Sequence, residues 1–156
     1  MRWMLVFALA LAGCGNEEPE EAHEEPAAGH VHKAPHGGAL HAIGDHFASV
    51  ELLFDSRQGK LTLYVLGSHA KTALRIKPKS LSVEIEIPEK VQAENIQMAL
   101  EARADPLSGE TVGDSSVFAA TSDKLKGLEK FLVEVKEIEI KGERFSGLWL
   151  KYPEGD

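Results

Sequence analysis

Apolar and polar residues alternate with a period of two along most of the chain after residue 46. The segment Leu81-Ser82-Val83-Glu84-Ile85-Glu86-Ile87 does so strictly. Successive strand side chains point to opposite faces, so this pattern predicts a half-buried strand. In the run His46 to Phe54, the residues His46, Ala48, Val50, Leu52 and Phe54 share one face. Phe47, Ser49, Glu51 and Leu53 share the other. From Lys60 to Leu66, Leu61, Leu63 and Val65 alternate with Thr62, Tyr64 and Leu66. Further strands are predicted at 39–43, 96–102, 116–120, 132–140 and 144–152.

Turn chemistry separates these runs. Gly44-Asp45 suits a two-residue hairpin turn, and Asp55-Ser56-Arg57-Gln58-Gly59, Asp105-Pro106-Leu107-Ser108-Gly109 and Lys141-Gly142-Glu143 read as further turns. Ser122-Asp123-Lys124-Leu125-Lys126-Gly127 predicts one short helical turn, capped by Ser122 and stopped at Gly127. About eight short strands with no long amphipathic helix predict an all-β fold, an antiparallel, Ig-like β-sandwich over residues 36–156. A small barrel is the alternative architecture. The chain has no internal repeat.

The first 35 residues follow a different logic. Met1-Arg2 precedes the apolar run Trp3 to Gly13, too short for the roughly 20 residues that cross a bilayer. A positive start, a short apolar stretch and small residues at a cut site read as a signal peptide over residues 1–13. Leu11-Ala12-Gly13-Cys14 resembles the lipobox of bacterial lipoproteins, which implies lipidation of Cys14 and cleavage before it. Gly15, rather than aspartate, follows Cys14. By resemblance to the sorting rule of enteric bacteria, this points to the outer membrane. Residues 14–35 carry Glu17-Glu18-Pro19-Glu20-Glu21-Ala22-His23-Glu24-Glu25-Pro26, too charged and proline-rich to bury a core. They read as an extended, self-repelling tether.

A formal charge of −8 argues against nucleic acid or an anionic membrane surface as a partner held by a basic patch. Cys14 is the only cysteine. Once it is acylated, no thiol remains for a disulfide, a zinc-thiolate site or a cysteine nucleophile. The membrane is then reached through the anchor on Cys14.

All seven histidines lie within the first 69 residues: His23, His30, His32, His36, His41, His46 and His69. Imidazole is the commonest metal ligand in proteins. In an extended chain the two imidazoles of His30-Val31-His32 lie on one side, with Cα atoms about 6.5 Å apart, close enough to chelate one ion. A two-residue turn at Gly44-Asp45 would pair Ile43 with His46 and make His41 and His46 diagonal neighbours on one face. That face continues into Val50 and Leu52, so both histidines would sit at an open end of the sandwich. The alternative has one or both half-buried and hydrogen-bonded to backbone carbonyls. His36 precedes Gly37-Gly38, where the chain can bend and fold the tether's histidines back toward His41 and His46. His69 reads as a loop residue.

The candidate metal ligands are therefore His30, His32, His36, His41 and His46, with Asp45, Glu24 and Glu25 as oxygen donors. Imidazole with carboxylate and no thiolate suits Cu(II), Zn(II) or Ni(II). No nucleophile elbow, phosphate loop or paired catalytic acid stands out, and no enzymatic activity is expected.

Pro35-His36-Gly37-Gly38-Ala39-Leu40, Gly44-Asp45-His46, Glu51-Leu52 and Gly59-Lys60-Leu61-Thr62-Leu63-Tyr64-Val65-Leu66 resemble small secreted bacterial proteins that start with P-H-G-G. In these a β-rich domain follows a histidine-rich leader. A similar stretch occurs in periplasmic adaptor subunits of heavy-metal efflux pumps. The resemblance covers about 35 residues and implies an envelope role in metal handling, with an efflux adaptor or another envelope protein as partner. It carries no assigned ligand residues. The chain lacks the helical hairpin and lipoyl-type segments of an adaptor. The leading expectation is a lipid-anchored periplasmic protein that buffers or delivers a divalent metal, Cu(II) or Zn(II). The competing one is a structural β-sandwich that docks an envelope partner through a strand edge, with incidental histidines.

Overall fold

The computed structural model describes residues 33–89 and 94–155. The period-two alternation becomes eight antiparallel strands: β1 (Ala39–Ile43), β2 (Ala48–Asp55), β3 (Lys60–Gly67), β4 (Ser80–Glu86), β5 (Ile96–Ala102), β6 (Val117–Thr121), β7 (Phe131–Ile140) and β8 (Glu143–Tyr152). All eight belong to one hydrogen-bonded sheet in the order β1-β2-β3-β6-β5-β4-β7-β8. Two three-stranded meanders, β1-β2-β3 and β4-β5-β6, join where β6 pairs with β3, and the β7-β8 hairpin extends the second beside β4. The fold is all-β, as the alternation predicts.

The sheet curls over one core until its two ends approach each other. This places it between a sandwich and a closed barrel, and it shelters two strand edges that would otherwise be open. Three side-chain contacts bridge β1 and its following loop to β8 and its preceding turn. His41 Nε2 lies 2.9 Å from the Lys151 carbonyl. The Phe47 and Phe145 rings are 5.6 Å apart. Lys141 Nζ donates to the Phe47 carbonyl at 3.2 Å and stands over that residue's ring.

The predicted inward faces form the core. Ala48, Val50 and Leu52 of β2 meet Leu61, Leu63 and Val65 of β3, with Ile85, Leu100, Phe118, Val133, Val135, Ile140 and Leu150 from the remaining strands. At one margin Phe54, Phe131 and Tyr152 form an aromatic cluster with ring centroids about 5–6 Å apart, a favourable spacing. The predicted helical turn is a 3₁₀ turn, Asp123–Leu125. The Ser122 hydroxyl accepts from the Lys124 N–H, and Leu125 is fully buried in the core.

One hairpin differs from expectation. Ile43 pairs with Ala48, not His46, so the loop spans four residues, 44–47, and the register moves by two. In the four-residue loop the left-handed positions are Gly44 (φ 60°) and His46 (φ 55°), so His46 lies outside the strand. The Phe47 N–H closes the loop on the Ile43 carbonyl at 3.0 Å, and its side chain leaves the strand to pack on Phe145. The tight turn instead joins β7 to β8, where Lys141 (φ 51°) and Gly142 (φ 84°) are both left-handed.

Among the described residues no helix is long and apolar enough to cross a membrane.

Candidate metal-binding site

Strand β2 is buried on both faces over its first five residues. Its inner face is apolar, but the outer face carries Ser49 and Glu51, which are 3% and 0% exposed. What covers Glu51 is the turn just before β1, formed by Pro35-His36-Gly37-Gly38. The His36 N–H donates to Oε1 of Glu51 at 2.9 Å, and the Gly38 N–H to the same oxygen at 2.8 Å. His36 Nδ1 reaches Oε2 at 2.7 Å. A carboxylate buried without partners would cost several kcal/mol. Here three N–H groups take it up, and every buried side-chain polar atom among the described residues has a partner.

The two glycines serve this turn in different ways. Gly37 sits at φ 78°, a conformation that glycine adopts without strain. Gly38 is needed for space, since a Cβ there would stand 2.4 Å from the Leu52 carbonyl oxygen. Removing either constraint would lift the turn from Glu51.

Tyr64 completes the arrangement from β3, directly opposite Glu51 in the β2–β3 ladder. Its ring lies flat against the His36 imidazole, with centroids 3.8 Å apart and planes within 9°. His36 is therefore held by its backbone, by one ring nitrogen and by one ring face. A carboxylate accepts only, so Nδ1 carries the proton in this hydrogen bond. The Nε2 atom on the other side of the ring is left to receive a further partner. The His36 side chain is 40% exposed.

Burial, and secondly the Glu51 charge, push the Tyr64 phenol above its usual range. The phenolate is thus disfavoured in the folded state. The resulting stabilisation is full below the unfolded value of about 10 and is lost as pH rises through the folded value. Denaturant unfolding followed from about pH 9 to 11 should show a smaller loss of stability in Tyr64→Phe than in the parent. Equal losses in both would disprove the Tyr64 contribution.

The other predicted ligands lie apart in role. His41 is on the inner face of β1, opposite Val50 and 2% exposed, with Nε2–H donated to the Lys151 carbonyl. This is the backbone-satisfied alternative among the sequence expectations. His46 is exposed in the four-residue loop, off the strand face, so the diagonal pairing with His41 does not form. His69 is an exposed loop residue. His23, His30, His32, Glu24, Glu25 and Cys14 lie outside the described residues. Among the described residues no three potential metal ligands gather at one point.

Glu51 and Tyr64 are absent from the sequence-predicted site. The available signals were a lone carboxylate within an apolar run and its place across from an aromatic residue. No family model matches the chain, and no similar curated protein or solved structure is found.

Proposed function

We propose that this is a lipid-anchored metal-binding protein of the bacterial envelope that buffers Cu(II) or Zn(II), or passes it to an efflux system. The anchor is Cys14 and the membrane is the outer one. The observation that carries the reading is the His36 imidazole, held at the junction of leader and domain by a buried carboxylate, as metal-bound imidazoles commonly are. His30 and His32 precede it by six and four residues. Four residues span at most about 14 Å and six about 21 Å, so an ion on His36 lies within chain reach of both. Three imidazoles meet the needs of either metal.

A titration of the full, untagged chain with Cu(II) or Zn(II) tests the reading. Saturable binding should be lost when His30, His32, His36, His41 and His46 are all changed to alanine. Affinity unchanged by that replacement would end it.

One feature favours the interaction-module reading. Strand β5 pairs with β6 only at Glu101 and Ala102, so the β6 side of residues 96–99 has no ladder partner among the described residues. A partner strand added there would slow amide exchange over those residues without any metal.

A further inference from the structure

We infer that His36 binds the metal through Nε2, and that Glu51 is the positioning residue that makes it a ligand. The inference rests on the metal-binding reading and names the atom and the support on which that reading depends. An imidazole can ligate through either nitrogen, and a free ring exchanges between two tautomers. In this protein the choice is made before any ion arrives. The Glu51 carboxylate, fully buried, takes Nδ1–H at 2.7 Å. The lone pair therefore belongs to Nε2.

The hold on the ring is redundant, which is what an oriented ligand needs. The carboxylate that takes Nδ1–H also takes the backbone N–H groups of His36 and Gly38. The ring cannot swing about its Cα–Cβ bond without losing Nδ1–H···Oε2 and the flat contact with Tyr64. Carboxylates commonly take the second ring N–H of a metal-bound histidine in this way, fixing its tautomer and its orientation. Rigid placement also removes part of the ordering cost that a histidine on a free tether must meet.

His36 thus differs in kind from the other described histidines. The His41 Nε2 is committed to the Lys151 carbonyl inside the fold. His46 and His69 stand in exposed loops. The ion would enter as the divalent cation, giving up one bound water for the Nε2 lone pair, with Nδ1 keeping its proton and no change of oxidation state.

The test uses the full, untagged chain and Zn(II), which is diamagnetic, with the ring nitrogens followed by long-range proton–nitrogen NMR. Before metal, His36 should show a protonated Nδ1 and an unprotonated Nε2. On Zn(II) addition the Nε2 signal should shift while Nδ1 stays protonated. His36→Gln should weaken Zn(II) binding about 10-fold or more, and Glu51→Gln about 10- to 100-fold, the range for losing the carboxylate behind a metal-bound imidazole. His69→Gln should bind as the parent does.

If Zn(II) binds while the His36 nitrogens stay unmoved, or if His36→Gln binds like the parent, this inference is overturned. The metal-binding reading would then rest on other histidines. If the parent binds neither Zn(II) nor Cu(II), both fail together. Should Glu51→Gln not fold, the parent ring signals and the exposed-site variant His36→Gln still decide the matter.

Discussion

Replacing Glu51 with alanine should destabilise the domain by about 2–3 kcal/mol and lower its melting temperature by about 10 °C. The loss has two parts. The three N–H groups that now share one carboxylate, from His36 twice and Gly38 once, lose their acceptor together. The turn must then open to hydrate them or leave them unsatisfied, at a cost of about 1–3 kcal/mol for each buried group that finds no water. The second part is the space left on the outer face of β2, where Glu51 is fully buried. Partial hydration of the opened turn keeps the sum below the full penalty for three groups. Circular dichroism melts and denaturant titrations measure the effect. A shift under about 1 kcal/mol would mean that something other than the carboxylate holds the turn.

Gly38→Ala should cost about 2–3 kcal/mol, and clearly more than Gly37→Ala at about 1 kcal/mol. The asymmetry follows from two different physical demands in one dipeptide. A Cβ on Gly38 would lie 2.4 Å from the carbonyl oxygen and 2.9 Å from the carbonyl carbon of Leu52. These are backbone atoms in the β1–β2 ladder, where Ala39 pairs with Leu52, so neither side can yield cheaply. At Gly37 nothing lies within 4 Å of the added Cβ, and the cost is only that of holding an L-residue at φ 78°. Denaturant midpoints of the two variants decide the order. A Gly37 variant that is the less stable of the two would show that turn conformation, not the approach to Leu52, governs the site. Glu51→Ala and Gly38→Ala act on one turn, so their combined effect should fall short of the sum.

Much of the strand layout is visible in the alternation. Residues 96–102 form β5 with the predicted ends, and β3, β4, β6, β7 and β8 lie within a residue of theirs. These strands read well because one face is uniformly apolar, and a slip of one residue would turn that face to water. The start of β2 was misplaced for a local reason. His46 continues the face of Ala48 and Val50 in sequence, but in the fold it is a left-handed loop residue and Phe47 leaves the strand to meet Phe145 about a hundred residues later. Alternation carries no information about such a distant ring, so the loop looked two residues shorter than it is.

The candidate site was legible only at His36. Its P-H-G-G setting marks a turn, and the histidine bias of the first 69 residues draws attention to its imidazole. The partner that orients it is 15 residues away on another strand. Tyr64 reaches the same place only because β3 runs antiparallel to β2 in a register that sets it opposite Glu51. His41 shows the converse: its residue type invited a ligand role, but strand parity turned it inward against the Lys151 carbonyl.

Side-chain periodicity, turn residues and composition are local quantities, and they were enough to dictate eight strands, the cap at Ser122, the acidic leader and the concentration of imidazoles near one end. The closing of the sheet and the burial of Glu51 depend on contacts between strands far apart in the chain, as does the choice of His36 over His41 as the ring facing outward. Those arise only when the core packs and every buried polar group must find a partner within reach.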